Sequence, residues 1–184
     1  DQTRVESWAM SLTDDAERDH AISSIALELV HRDTAAAVRI VNAMTPGDRR
    51  NTAVGNVAAQ WASRDIGPAA EWAAGLSSPA GRDYALAQVG AAHGRSDMDA
   101  AVRWAESLAD PAARDSAIGG AAYAGAAADV RRAISLVQPL GEGPGRNKAV
   151  PAITSALARK SLDEAVSWLA EQPQGLSRDL GLAT

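Results

Sequence analysis

The sequence predicts an all-α fold: an α/α superhelix, or solenoid, of five complete 32-residue helical hairpins with partial units at both ends. Three observations predict it. The 184 residues include 42 Ala and no Phe, and Ala is the strongest helix former and a poor strand residue. An Arg recurs at 18, 50, 82, 114, 146 and 178, each step 32 residues with no insertion. Further columns keep the same step: Trp8, Ile40, Trp72, Trp104, Leu136 and Trp168; Ala37, Ala69, Ala101, Ala133 and Ala165; Asp33, Asp65, Asp97 and Asp129, with Ser161 last. Self-similarity at a fixed spacing of this size is the mark of a repeat architecture.

The elements follow in order. Residues 1–12 read as a fragment of a second helix, here termed helix B. Complete hairpins follow over 13–44, 45–76, 77–108, 109–140 and 141–172, and residues 173–184 read as a partial first helix, helix A. All belong to one repeat domain, 1–184. Helix A is set by a stripe at 18, 21, 22, 25, 26 and 29, the spacing of an amphipathic helix of about 16 residues. Its start carries Pro46, Pro79, Pro111 and Pro144, because Pro fits a first turn where its missing N–H is not needed. Thr45, Ser78 and Asp110 precede three of these as N-caps. Helix B starts at the Asp column, where a carboxylate caps the first N–H groups, and runs about 11 residues with its Trp on the buried side. Such a hairpin cannot bury its apolar face alone and needs neighbours.

The recurring residues read as structural. Each Arg sits in the first turn of helix A, within reach of the free carbonyls that end the preceding helix B. The Trp column reads as core with the Ala column making room for it. Trp61 stands in a variable column with Leu29, His93, Gly125 and Leu157, and reads as core filler. GEGPGRNK at Gly141–Lys148 lacks the Gly-Lys-Ser/Thr ending of a phosphate loop and falls in the register of the inter-hairpin turns.

Together these elements resemble the α-solenoid superfamily of tetratricopeptide-like and HEAT-like repeats. The Trp-Ala-x-x-Leu, Arg-Asp-x-Ala and Asp-x-x-x-Ala spellings look like a bacterial 32-residue helical-hairpin family of unassigned role. The tetratricopeptide Gly and Tyr of helix A are not present in order, so the resemblance implies an architecture and no binding residue.

Composition narrows the function classes. Net charge is −5, with 18 Lys and Arg spread along the chain, so the basic stripe that tracks nucleic acid is missing. No Cys means no disulfide, thiolate metal site or Cys nucleophile, and fits a cytoplasmic or an exported protein equally. His20, His31 and His93 have no metal spacing, no Gly-x-Ser-x-Gly elbow is present, and no apolar run is long enough to span a membrane. The chain opens on Asp1 and reads as a segment of a longer one. The expectation is a non-enzymatic scaffold without cofactor or metal, binding a protein or peptide on the variable outer face of helix A. That face takes positions 20, 24, 27, 28 and 31 of each unit, and His31, Tyr84, Gln88, Arg95 and Tyr123 are its chosen contact residues. The alternative is a structural spacer or an array that self-associates head to tail through its apolar ends.

Overall fold

A computed structural model describes residues 2–184, and Asp1, the first residue of the expected helix B fragment, lies outside the described residues. The described residues form twelve helices and no strand. They are α1 (Gln2–Ser11), α2 (Asp15–Leu29), α3 (Thr34–Asn42), α4 (Asp48–Ala62), α5 (Ile66–Ala74), α6 (Pro79–Ser96), α7 (Met98–Glu106), α8 (Pro111–Gly125), α9 (Val130–Val137), α10 (Pro144–Ala158), α11 (Leu162–Ala170) and α12 (Leu176–Leu182). The protein is all-α.

Long and short helices alternate. The short ones begin at Thr34, Ile66, Met98, Val130 and Leu162, one step of the sequence period apart. Their starts are set by the Asp column, except that Asp65 stands at the N-cap of α5 without a side-chain capping hydrogen bond. The Asp33, Asp97 and Asp129 carboxylates accept from the backbone N–H groups of Ala36, Ala100 and Arg132 at 2.9, 2.8 and 3.0 Å. Ser161 does the same for Glu164 at 3.2 Å. Each satisfies a donor that has no partner in the first helical turn.

The short helices run 8 or 9 residues, shorter than the period suggests. Their ends tighten into three-residue turns, with Met44, Leu76, Leu108 and Leu140 N–H groups donating to Val41, Ala73, Ala105 and Val137 at 3.0–3.3 Å. Met44 and Leu140 are buried there, and Leu76 and Leu108 half-buried. Two of the three expected caps on long helices hold: Ser78 accepts from Gly81 N–H and Asp110 from Ala112 N–H. Thr45 is a correction. The α4 N-cap is Gly47, whose φ of 155° few side chains tolerate, so the helix starts at Asp48 and Thr45 stays in the turn.

Contacts gather the chain in two compact units, residues up to Ala85 and Leu86–Thr184, with the boundary inside α6. In the first, α2 packs on α1, α3 and α4, and α4 packs on α3 and α5. In the second, α8 packs on α7, α9 and α10, while α10 also meets α9, α11 and α12. The pattern recurs in both: α2, α8 and α10 each touch the following short helix and the following long helix.

The Ala column is the core. Ala37, Ala69, Ala101 and Ala133 have no exposed surface and Ala165 has 2%. The Trp column departs from expectation in part: Ile40 and Leu136 are buried and Trp168 packs half-buried against the core, but Trp72 and Trp104 are half-buried and Trp8 is 56% exposed. The reason is where the indoles lie. Trp72 stacks on Trp61 with centroids 5.9 Å apart, and Trp104 on His93 at 6.1 Å. Each ring thus clasps the end of its own long helix at the rim of the hairpin, leaving the small Ala side chains to face the next helix. Trp61 accordingly packs as filler, half-buried in that clasp.

Two polar columns fix the junctions. Arg18, Arg114 and Arg146 donate to the carbonyls of Leu12, Leu108 and Leu140, six residues earlier in each case. This is the expected use of a cation at a helix C-terminus; Arg50 departs from it, donating to the Asn42 side-chain oxygen at 3.3 Å. The next residue reaches forward: Asp19 accepts from Thr45 N–H at 3.1 Å and Asp115 from Gly141 N–H at 3.2 Å. Asn147 stands at the same place before α12, and its Oδ1 is buried without a hydrogen-bond partner. The matching donor position is Pro173, which has no N–H.

Candidate functional site

Three long helices of the second unit build the site: α6 from Leu86 onward, α8 and α10. They meet backbone to backbone. A Cβ on Gly120 of α8 would fall on the carbonyl of Ala87 in α6. A Cβ on Gly119 would lie 2.5 Å from the Cα of Gly145 in α10, and one on Gly145 would lie 2.6 Å from the carbonyl oxygen of Ser116. No real side chain tolerates such distances, so glycine is obligatory at these contacts.

Close approach lets α6 and α10 touch each other across α8. The Lys148 ammonium on α10 donates to the Gln88 amide oxygen on α6 at 2.5 Å. It also lies 4.7 Å above the ring of Tyr123 on α8, a cation–π contact. The α8 residues at the equivalent positions, Ser116 and Gly120, are buried. Burial pushes Lys148 down to about 8, and the charge of Arg95 adds to that push.

Toward the C-terminal ends of the three helices the bridge gives way to a cavity of about 320 Å³. Arg95 forms one wall and Arg159 the other, with Tyr123, Ala127, Ala152 and Ser155 among the residues between them. Arg95, Ala127 and Arg159 share one repeat position, and Tyr123 and Ser155 share another. Nearly the whole lining therefore comes from the variable face chosen in the sequence.

Of the five residues expected to contact a partner, the structure brings three together: Gln88, Arg95 and Tyr123. His31 and Tyr84 fall in the first unit. His31 is exposed, and its backbone carbonyl accepts from Arg64 at 3.0 Å. Tyr84 is half-buried on α6. Lys148 and Arg159 belong to the group but were not among the five. Both signals were in the sequence: Lys148 shares a column with Tyr84, and Arg159 shares one with His31 and Arg95.

Chemically the arrangement offers cations, a hydroxyl and an aromatic face around a small-residue floor. Among the described residues, no cluster of three or more His, Asp or Glu side chains is placed to hold a metal ion. No described helix is long and apolar enough to cross a membrane. No family model, curated protein or solved structure matches the chain.

Proposed function

We propose that the chain is a non-enzymatic scaffold of the helical-repeat kind, and that the concave face of α6, α8 and α10 binds a peptide or a protein segment. One observation carries this: the concavity lined by Arg95, Tyr123, Ala127, Ser155 and Arg159. An aromatic anchor beside small residues and flanked by long polar ones has the make-up of a peptide groove. The resemblance to tetratricopeptide-like and HEAT-like arrays supports the same reading, since stacked hairpins use such surfaces for binding.

The test is selection of a displayed random-peptide library on the immobilised chain. Selected peptides are expected to lose binding to Ala127→Trp, which fills the groove, and to keep it with Ser135→Trp, an exposed position on α9. Equal binding to both variants would sink the reading.

A second reading, self-association, has its own observation. The α11–α12 pair leaves Leu162, Val166, Leu176 and Leu182 58–68% exposed, and α1 leaves Val5, Trp8 and Met10 45–56% exposed. Apolar surface of this kind marks association sites. Sedimentation should then show mass rising with concentration in the wild type and constant in Leu176→Glu; constant mass in both excludes it.

A further inference from the structure

The two walls of the groove treat their cations differently. Lys148 has an acceptor from within the molecule, the Gln88 oxygen on the opposite wall. Two helical turns beyond Gln88 stands Arg95, and three turns beyond Lys148 stands Arg159. They face the same cavity from the same two helices. Between them α8 presents Tyr123 and Ala124, and the turn that follows it presents Ala126 and Ala127; among the described residues no carboxylate pairs with either guanidinium. The nearby carboxylates Asp97 and Asp129 are committed to capping α7 and α9. In a chain of net charge −5, which has more acids than bases to place, two guanidiniums and an ammonium gather here around one aromatic ring.

We infer that the groove is specific for an acidic peptide segment, with a Glu or Asp side-chain carboxylate seated between Arg95 and Arg159 and a neighbouring apolar side chain lying on Tyr123 and the Ala floor. The inference rests on the peptide-groove reading above and names its ligand. The carboxylate stands in for the acceptor that Gln88 provides to Lys148. Guanidinium is the group suited to it, because its planar fork donates two parallel hydrogen bonds to a carboxylate. Like charges on opposite walls repel, and an anion between them turns that repulsion into two attractions. The Ala-lined floor and the Tyr123 face give an apolar side chain something to cover, which a bare phosphate would leave unused. A free C-terminal carboxylate is a poorer match, since such ends are held by backbone N–H groups, and Arg95 and Arg159 lie at helix ends that expose carbonyls.

The experiment is a fluorescence-anisotropy titration of the intact chain with labelled, end-blocked peptides in which Glu alternates with apolar residues. Matched peptides carry Gln for Glu, and a further set carries Gln with a free C-terminus. The Glu peptides are expected to bind, and to weaken at least about tenfold when Gln replaces Glu or when Arg95→Gln and Arg159→Gln are combined. Both arginines are exposed, and unchanged circular-dichroism melts confirm that the double variant folds. Equal binding of Glu and Gln peptides, or full binding by the double variant, overturns the acidic ligand. If that binding is still lost in Tyr123→Ala, the groove stands and only its charge preference falls. If no peptide of any set binds, both readings fall. Preference for the free C-terminus, or tighter binding of a single-stranded oligonucleotide lost in the same double variant, also overturns the assignment.

Discussion

The two units differ in the residues at matching positions of α2 and α8. In the first, α2 and α4 bury Ile22, Leu29, Val54 and Val57, and the α2 positions that match Gly119 and Gly120 hold Ser23 and Ser24. In the second, α6, α8 and α10 also bury Leu86, Val89, Val150 and Ile153, but they meet backbone to backbone through glycine; α4 of the first unit keeps one glycine at these positions, Gly55, beside Asn56. The outer faces differ accordingly. His20, Ser24, Thr52 and Asn56 of the first unit are exposed, whereas Ser116 and Gly120 of the second are buried beneath a bridge from Gln88 to Lys148. The spacing of the repeat is the same throughout. What changes is the size of the residues at the helix contact, and that decides whether side chains two helices apart can meet and leave a cavity beside them.

Buried bulk and close approach should fail in opposite ways. Ile22→Ala removes a fully buried side chain from the first unit, and is expected to cost about 4 kcal/mol through the cavity it leaves. Gly120→Ala adds a single methyl to the second and is expected to cost about 2–3 kcal/mol by overpacking against Ala87. Urea unfolding followed by circular dichroism measures both. A neutral Gly120→Ala would mean that α6 and α8 do not need their close approach.

The smallest effect sharpens the comparison by pH. The unfolded chain holds the Lys148 proton up to the ordinary 10.5, while the folded chain releases it near 8. Within that window unfolding takes up a proton, so this group makes stability rise with pH, and below about 8 the buried charge exerts its full penalty. Lys148→Met removes the penalty. Its advantage over wild type, read from thermal melts, should shrink as pH climbs from about 8 toward 10.5. An advantage that does not change with pH would show that Lys148 is not held under the bridge.

Much of this was legible in the residues themselves. The all-α class, the helix order, the short-helix caps and the Arg contacts to Leu12, Leu108 and Leu140 all follow from residue type and spacing. The Trp column did not follow. Hydrophobicity says that an indole is worth burying, but whether it is buried depends on which neighbour it meets, and Trp104 meets His93 at a rim. The site was half legible. Variation among repeat positions pointed to the face that lines the cavity, and Gln88, Arg95 and Tyr123 converge there. That Lys148 reaches Gln88 sixty residues away depends on the glycine contacts of three helices, a distance no local pattern encodes.

Pro173 has one more effect. With no amide proton to offer Asn147, the last seam is fastened elsewhere: Glu142 receives the Ser177 hydroxyl at 2.6 Å and its N–H at 3.4 Å. α12 is therefore held by its packing on α10 and by one carboxylate on its flank, without a peg at its hinge. Restoring the peg with Pro173→Ala should slow deuterium uptake at the start of that helix.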